Sequence, residues 1–252
     1  MLRVGKGTPA IVVHGGPGFD HTSLSPYFER EEGIEYIFYD QCGCGIGKEA
    51  EIEINSSNLV TQLLAIIKSN TRSNEYSIIC HSWGAIITLF ALKHLPDNRH
   101  PNKLIMVSPC PLDYISTKQA VKRLLSRVTL SSKLQLLWTL IRHFHSNDSS
   151  FMNLALPYYC AQNRSVSNLA INLNIPTYLR TMRAFKNFNV TELCDQISSK
   201  IFLFRGIHDY ILIEELHDIQ FASEKVIGFK NSGHFIYAEE SELFNKHLQS
   251  IL

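Results

Sequence analysis

The chain has 252 residues, of which 45% are hydrophobic and 19% are charged, and its formal net charge is +1. This length and composition are ordinary for one globular domain with a sizeable core, and the balance of charge points to no particular partner. No apolar run approaches the roughly 20 residues that span a bilayer, which excludes a membrane span.

The first residues and the cysteines bear on the compartment. The opening stretch, MLRVGKGTPAIVVHGG, is interrupted by Gly and Pro and has no small-residue cleavage pattern, so we expect no signal peptide. Six cysteines, at 42, 44, 80, 110, 160 and 194, do not have the spacing of a small secreted disulfide framework. We therefore expect free thiols and a cytoplasmic protein. The C-x-C at 42–44 has no second ligand pair and does not predict a metal site.

Short apolar strands alternate with helical patterns along the chain. Strands are predicted at 10–16, 34–40, 76–82, 103–109, 200–206 and 225–229. Helices are predicted at 56–69, 83–95, 213–222 and from about 236 to the end. This alternation predicts a mostly parallel sheet with helices on both faces. In such sheets the active site lies at the carboxyl ends of the strands.

The interval 110–190 differs from the rest of the chain because it has no strand pattern. It is rich in Leu, Arg, Asn and Ser, and its pattern is that of several short helices. We therefore predict a core formed by 1–109 and 191–252, with a helical cap, 110–190, over the carboxyl edge of the sheet.

One serine stands where a buried strand runs directly into a buried helix, in the stretch SIICHSWGAIITLF. A strand followed at once by a helix forces a sharp turn, which lifts the residue at the turn clear of the sheet. Ser82 is at this turn and Gly84 follows, but Cys80 stands where the G-x-S-x-G nucleophile motif has its first Gly. The alternative is that Ser82 only caps the following helix.

A nucleophilic serine needs a base, and the base needs an acid to orient it. Asp209 comes just after the predicted strand 200–206, and His234 comes just after 225–229. The order Ser82, Asp209, His234 at the ends of core strands predicts that the three converge as a catalytic triad. Taken singly, Asp209 is also consistent with a turn residue and His234 with a loop histidine, and Asp113, after strand 103–109, is the reserve acid.

The stretch HGGPG, residues 14–18, follows the first predicted strand. Acyl transfer needs backbone N–H groups that stabilise the developing oxyanion, and glycine lets the backbone approach the substrate closely. We predict that Gly16 supplies one N–H group and Trp83, the residue after the nucleophile, supplies the other.

Taken together, these stretches resemble the motif series of proline iminopeptidase-like α/β-hydrolases: HGGPG (14–18), DQCGCGIG (40–47), HSWG (81–84), GIHD (206–209) and SGHF (232–235). The resemblance implies the α/β-hydrolase fold, with Ser82 as nucleophile, His234 as base and Asp209 as orienting acid. It covers both ends of the chain and places no motif in the cap.

The chain departs from that family in four respects. Cys42 stands where members usually have Arg, and Cys80 replaces the elbow Gly. Only 13 residues precede His14, so we expect the usual amino-terminal antiparallel hairpin to be largely absent and the sheet to be shortened. Proline iminopeptidases hold the substrate ammonium with acids of the cap, whereas 110–190 contains ten basic residues and only Asp113 and Asp148 as acids.

The cap is therefore strongly basic, with a net +8, while the rest of the chain carries −7. A basic cap suits an anionic substrate or an acidic acyl carrier protein, as in esterases that act on carrier-bound acyl groups. We predict that Lys122, Arg123 and Arg127 form a basic ridge on one helix, with Leu124, Leu125 and Val128 turned towards the sheet. The alternative is a solvated helix face.

Three functions remain open from the sequence alone. The first is a serine hydrolase of carboxylic esters or thioesters, acting on a small-molecule or carrier-bound substrate. The second is a proline iminopeptidase, and the third is a non-catalytic α/β-hydrolase homologue. No metal or cofactor is required for acyl transfer by the predicted groups. Nucleic acid is disfavoured as a partner because no interleaved aromatic-basic motif is present.

Overall fold

The computed structural model of the chain describes residues 1–45, 52–142, 147–163, 166, 169, 171–197, 200–216 and 225–252. The strands are β1 (Leu2–Val13), β2 (Glu32–Phe38), β3 (Ser77–His81), β4 (Lys103–Val107), β5 (Asn147–Asp148), β6 (Leu173–Asn174), β7 (Ile201–Gly206) and β8 (Val226–Phe229). The α-helices are α1 (Ser56–Asn70), α2 (Gly84–Leu92), α3 (Tyr114–Arg127), α4 (Leu130–Arg142), α5 (Ser150–Ala155), α6 (Ile175–Ala184), α7 (Thr191–Gln196), α8 (Ile236–Glu239) and α9 (Ser241–Ile251).

Six of these strands form the central sheet, in the order β2-β1-β3-β4-β7-β8. The pairs on either side of β3 and β7 are parallel. Along β1, Gly7–Val12 pair with Gly33–Phe38 in the parallel sense, whereas Leu2–Gly5 pair with the same strand in reverse order, from Phe38 back to Glu35. The strand predicted at 10–16 therefore begins much earlier, and the sheet is parallel except for this short reversed segment.

Alternate residues of the strands belong to two apolar clusters on opposite faces of the sheet. On β1, Ile11 and Val13 belong to one cluster, and Ala10 and Val12 belong to the other. Residues of α1, α2 and α7 cover the first face, and residues of α8 and α9 cover the second. This is the period of two that parallel strands buried on both faces require. The predicted α/β-hydrolase fold class, a mostly parallel sheet with helices around it, is confirmed.

Two predicted helices near the carboxyl end differ from what the structure contains. Of the helix predicted at 213–222, the described part is a 3₁₀ turn at Ile213–Leu216, and 217–224 lie outside the described residues. The helix predicted from 236 onwards is divided into α8 and α9 at Glu240, whose backbone is not helical (φ −133°, ψ 57°). The Glu240 carboxylate accepts hydrogen bonds from Ser232 Oγ (2.6 Å) and from the Asn231 N–H (3.0 Å). These bonds tie the division between the helices to the turn after β8.

The residues between β4 and β7 are mostly helical, in agreement with the pattern of 110–190. The structure adds a short antiparallel pair, β5 with β6, which sequence analysis did not predict because each strand has only two residues. The division into a core and a cap stays a prediction, and 110–190 is called the cap segment. No helix within the described ranges is long and apolar enough to cross a membrane.

Candidate active site

Ser82 lies immediately after β3, with a left-handed backbone (φ +51°), and α2 begins two residues later. A non-glycine residue in this conformation is uncommon, and its presence marks a sharp strand-to-helix turn. Its N–H donates to the Val107 carbonyl (3.0 Å) at the end of the neighbouring β4. Glycine is required at 84 because a Cβ there would lie 2.6 Å from the Val13 carbonyl oxygen.

The Ser82 side chain is joined to a histidine and an aspartate by hydrogen bonds. His234 Nε2 lies 2.9 Å from Ser82 Oγ, and His234 Nδ1 lies 3.0 and 3.1 Å from the two carboxylate oxygens of Asp209. These three side chains come from the ends of β3, β7 and β8, and each is 5% exposed or less. The structure thus brings together the three residues that sequence analysis selected, within hydrogen-bonding range of one another.

The loop that carries His234 is held by backbone contacts on both sides. The His234 N–H donates to the Tyr159 carbonyl (2.8 Å), which belongs to the cap segment. The Glu239 carboxylate accepts from the N–H groups of Gly233 (3.0 Å) and Phe235 (3.2 Å), the two neighbours of His234. Burial raises the pKa of Glu239. The sequence pattern marks Glu239 only as a helical residue, so it does not predict this contact.

His81, the residue before the nucleophile, supports the same loop. Its Nε2 lies 3.2 Å from the carbonyl oxygen of His234. Burial, and then the nearby His234, lower the pKa of His81 well below its ordinary value, so the ring is neutral. A neutral ring that donates from Nε2 leaves Nδ1 unprotonated, and Nδ1 has no hydrogen-bond partner in the described part of the chain. His81 is therefore a contact of the triad histidine and not a second base for Ser82.

The two residues predicted to donate N–H groups to the oxyanion, Gly16 and Trp83, lie on loops close to Ser82. Trp83 occupies the first turn position before α2 (φ −54°, ψ −30°), directly after the nucleophile. The HGGPG loop packs against the elbow, since a Cβ on Gly15 would lie 3.1 Å from the Cβ of Ser82 and 2.6 Å from His81 Nδ1. Gly16 is the next residue along that loop and has a left-handed backbone (φ +121°). The roles of Gly16 and Trp83 stay predictions.

The two cysteines that replace family residues are buried apolar groups. Cys80 and Cys42 both belong to the apolar cluster on one face of the sheet. Burial raises the pKa of Cys80 to about 12, so its thiol is protonated near neutral pH. Cys42 donates its N–H to Gln62 Oε1 (3.0 Å), and Gln62 Nε2 donates to the Asp40 carbonyl (3.0 Å). Of the motif at 40–47, residues 46 and 47 lie outside the described residues.

Three further residues, which were not predicted from the sequence as site residues, lie around the triad. Cys110 Sγ lies 3.8 Å from Ser82 Oγ, and burial raises the Cys110 pKa to about 12. The rings of Tyr159 and Tyr210 lie 5.8 and 5.0 Å from that of His234. Cys110 follows β4, so the rule that parallel strands end at one edge could have found it. Tyr159 lies in the helical cap segment, where no strand end marks it.

The two arginines of the predicted basic ridge use their guanidinium groups in bonds to the core, and the ridge as a binding surface stays a prediction. Arg123 forms a bidentate ion pair with Glu215 (2.9 and 3.0 Å) and also donates to the Tyr210 carbonyl (2.7 Å). Lys122 is exposed, as predicted. Of the three apolar residues predicted to face the sheet, Leu124 and Val128 are buried, but Leu125 is 49% exposed.

Arg127 binds the loop that carries Asp209. Its guanidinium donates to the carbonyls of Asp209 (3.1 Å) and His208 (3.2 Å), with a longer bond to that of Tyr158 (3.5 Å). The two α3 arginines thus reach three successive carbonyls of the loop, at residues 208, 209 and 210. This arrangement makes α3 a support of the triad acid.

Asp113, the reserve acid of the sequence prediction, lies at the start of α3 and caps that helix. Its carboxylate caps α3 by accepting from the N–H groups of Ile115 (2.8 Å) and Ser116 (2.9 Å). The described residues contain no group of three or more His, Cys, Asp or Glu side chains that could hold a metal ion.

No family model matches the chain. A proline iminopeptidase of Heyndrickxia coagulans is 34% identical over 124 residues, which are 48% of this chain and 42% of that protein. A proline iminopeptidase of Clostridioides difficile is 30% identical over 95 residues, which are 35% of this chain and 31% of that protein. The chain therefore matches less than half the length of these curated relatives.

Solved structures match over nearly the whole chain at low identity. The proline iminopeptidase of Mycobacterium smegmatis has a TM-score of 0.68 at 17% identity, covering 99% of this chain and 93% of that one. An esterase of Exiguobacterium antarcticum has a TM-score of 0.66 at 17% identity, with the same coverage of both chains. At this identity the likeness establishes the fold. The chain therefore has the α/β-hydrolase fold, and about half of its length resembles the proline iminopeptidases in sequence.

Proposed function

We propose that the protein is a serine hydrolase that cleaves a carboxylic ester or thioester through an acyl-enzyme intermediate. The observation that carries this proposal is the continuous hydrogen-bonded path from Asp209 through His234 to Ser82, with both bonds at 3.1 Å or less. A buried serine that only capped a helix would have no need of a histidine that is itself oriented by a carboxylate.

In the first half-reaction, Ser82 Oγ attacks the carbonyl carbon of the substrate, and its proton passes to His234 Nε2. The carbonyl π electrons move to oxygen, which carries the negative charge of the tetrahedral intermediate. Collapse of this intermediate breaks the bond to the leaving alcohol or thiol, which takes the proton from His234. Asp209 holds the Nδ1–H tautomer of His234 and stabilises the imidazolium. Water then repeats the sequence and releases the acid.

The negative charge on the intermediate is stabilised by backbone N–H groups, which we assign to Gly16 and Trp83. The contact between the HGGPG loop and the nucleophile elbow supports this assignment. Removing one such donor typically lowers kcat by about 10²- to 10³-fold. No metal is needed in this scheme because the serine, the histidine and the donors complete the acyl-transfer chemistry.

Three carboxylates are held in structural bonds, which supports the proposal of an ester over an amine-terminated peptide. A proline iminopeptidase site needs a carboxylate for the substrate ammonium. Asp113 caps α3, Glu215 pairs with Arg123, and Glu239 accepts from backbone N–H groups on both sides of His234. These three carboxylates are therefore engaged in structural bonds.

Proline iminopeptidase activity is the second candidate, and the sequence relatives favour it because they carry that name. A non-catalytic homologue is the third, and the short contacts within the triad argue against it. An acidic acyl carrier protein as partner stays a prediction. With Arg123 and Arg127 bonded to the core, Lys122 is the member of the predicted ridge left exposed to such a carrier.

The nucleophile is tested by labelling with a fluorophosphonate probe. We expect the wild type to be labelled and Ser82→Ala to lose both labelling and turnover, with kcat lower by about 10⁶-fold as in other triads. Ser108→Ala is the matched control, because Ser108 also follows a strand with a left-handed backbone (φ +41°) and makes no bond to His234. Labelling that persisted in Ser82→Ala would refute the proposal.

The substrate class is tested by comparing a chain-length series of p-nitrophenyl esters with proline p-nitroanilide. We expect kcat/KM to be higher for at least one ester. A higher value for proline p-nitroanilide would establish the peptidase alternative. Labelling of Ser82 without turnover of either class would mean that the proposed ester and peptide substrates are both wrong.

A further inference from the structure

Helix α4 presents apolar side chains on two opposite sides. On its inner side Leu136 and Thr139 are buried, and Leu140 packs against the apolar cluster of the sheet. On its outer side five large apolar residues are more than half exposed: Leu130 (76%), Leu134 (62%), Leu137 (54%), Trp138 (59%) and Ile141 (70%). Their spacing of i, i+4, i+7, i+8 and i+11 places them in one stripe along about 17 Å of helix. We call these five residues the outer stripe.

An exposed contiguous apolar surface of this kind marks an interaction site in a folded protein. The inner side of α4 already supplies the contacts that hold the helix on the core. The outer stripe therefore contributes nothing evident to the packing of the described chain, and it is a candidate surface for a partner.

The charged residues of α4 itself have one sign. Lys133 lies within one turn of Leu130 and Leu137, on one flank of the stripe, and is exposed. Arg142 lies on the other flank, with its guanidinium carbon 5.0 Å from the centroid of the Trp138 ring. Helix α4 contains no acidic residue, and the adjoining α3 contains none either. The surface thus combines an apolar centre with cationic flanks.

The apolar centre and the cationic flanks together indicate which kind of partner fits α4. A second copy of the chain, packed through a twofold axis, would set the basic flanks of one α4 against those of the other. Like charges opposed in this way disfavour association. A partner surface with an apolar interior and anionic groups at its boundary would bind both the apolar stripe and the flanking cations.

We propose that the outer stripe of α4 binds the surface of an anionic lipid bilayer, with the helix lying in the plane of the interface. Leucines and Ile141 enter the boundary between headgroups and acyl chains, and Lys133 and Arg142 contact the anionic headgroups. Trp138 has the amphipathic ring that is favoured at this depth. The inference is independent of the proposed hydrolase activity, because it concerns a surface that contains no residue of the triad.

The test is flotation of the full chain with vesicles of phosphatidylcholine that contain about a third phosphatidylserine, beside vesicles of phosphatidylcholine alone. We expect the apparent affinity to be on the order of tenfold higher for the anionic vesicles and to fall with added salt. Trp138 supplies a second readout, since it is 59% exposed while Trp83, the second of the two tryptophans, is 1% exposed. Binding should shift the emission of Trp138 to the blue.

Two double variants separate the apolar and the charged contributions. We expect Leu134→Ser/Leu137→Ser to lose binding to both kinds of vesicle, and Lys133→Glu/Arg142→Glu to lose the preference for anionic vesicles. Lys68→Glu/Lys93→Glu is the matched control, because it changes the net charge equally at two exposed lysines outside the cap segment. Circular dichroism verifies that each variant is folded, and turnover of a water-soluble ester should be the same in all of them.

Several outcomes would overturn the proposal. Unchanged vesicle binding in both α4 variants would place the lipid contact elsewhere on the chain. A dimer in sedimentation that Leu134→Ser/Leu137→Ser dissociates, without vesicle binding, would make the stripe an interface between copies. Binding to an acidic acyl carrier protein but not to vesicles would make it a protein-docking site. Absence of all three would leave it a solvated face.

Discussion

Helices α3 and α4 are neighbours in the chain and neither has an acidic residue, yet only α3 turns cationic side chains to the core as well as apolar ones. On α3, Arg123 and Arg127 reach inward and bind the loop of Asp209, while Leu125 is 49% exposed. On α4, Leu136 is buried and the neighbouring Leu137 is 54% exposed.

The two helices show that a buried cation and a buried leucine need different neighbours. An inward cation is stable only where carbonyls or a carboxylate replace the water that it loses, and the Asp209 loop and Glu215 supply such groups. An inward leucine needs only apolar neighbours. Because α4 has apolar residues on both sides, its pattern alone does not decide which side faces the core.

The largest expected effect is on stability, and it comes from the inner side of α4. Replacing Leu136 by Ala removes a buried side chain that packs in the apolar cluster, and we expect a loss of about 2–5 kcal/mol in the free energy of unfolding. Chemical denaturation measures this loss. Leu137→Ala, one residue away and half exposed, is the matched control and should stay within about 0.5 kcal/mol of wild type. Equal losses in the two variants would show that the two sides of α4 are not distinct.

The next effect concerns the inward cation of α3. Arg127→Ala removes two hydrogen bonds to the carbonyls of His208 and Asp209, so we expect the Asp209 carboxylate to be less well placed against His234. Hydrogen bonds to charged groups contribute about 1.5–3 kcal/mol, and kcat should fall by about 10- to 100-fold with a smaller change in KM.

The control for this prediction is Lys122→Ala, on the exposed side of the same helix, which should leave kcat unchanged. A readout specific to positioning is the resonance of the His234 Nδ1 proton, which should weaken or move in Arg127→Ala. A fall in thermal stability with normal kcat and an unchanged resonance would make Arg127 a purely structural contact.

A smaller effect is the coupling between Arg123 and Glu215. The ion pair is bidentate, but the Arg123 side chain is 30% exposed and that of Glu215 is 8% exposed, so solvent screens it in part. We expect a double-mutant cycle with Arg123→Ala and Glu215→Ala to give a coupling of about 1 kcal/mol in the free energy of unfolding. Additive losses would mean that the inward cation needs only the Tyr210 carbonyl.

The smallest effect tests whether a partly buried cation outside the cap segment, His21, is also stabilised by its acceptor, Asp40. His21 Nδ1 lies 2.8 Å from Asp40 Oδ1, and this hydrogen bond is the main cause that raises the His21 pKa above 6.5. A raised folded-state pKa means that the charged pair contributes fully below pH 6.5 and that this contribution is lost as pH rises through the folded-state pKa.

His21→Gln should therefore lower the free energy of unfolding by up to about 1 kcal/mol near pH 5.5, and by less near pH 9. Urea titrations of both proteins at the two pH values measure the difference. A cost that was larger at the alkaline pH would contradict the assigned direction of the shift.

Local sequence patterns are sufficient to predict the alternation of strands and helices and the residues at the strand ends. A buried parallel strand needs a continuous apolar run, and the chain must turn where the run stops, so local patterns place Ser82, Asp209 and His234 at turns. Parallel strands end at the same edge of a sheet, and the order of the strands then brings the three side chains together.

The groups that surround that site depend on long-range packing, which local patterns do not contain. Cys110, Tyr159 and Tyr210 approach the triad from loops and from the cap segment, whose positions follow from contacts between residues distant in sequence. The same holds for Arg123 and Arg127, since a helical period shows which residues share a face but not what that face meets. Whether an arginine faces water or a carbonyl depends on the neighbour, and the neighbour is set by the packing of the whole chain.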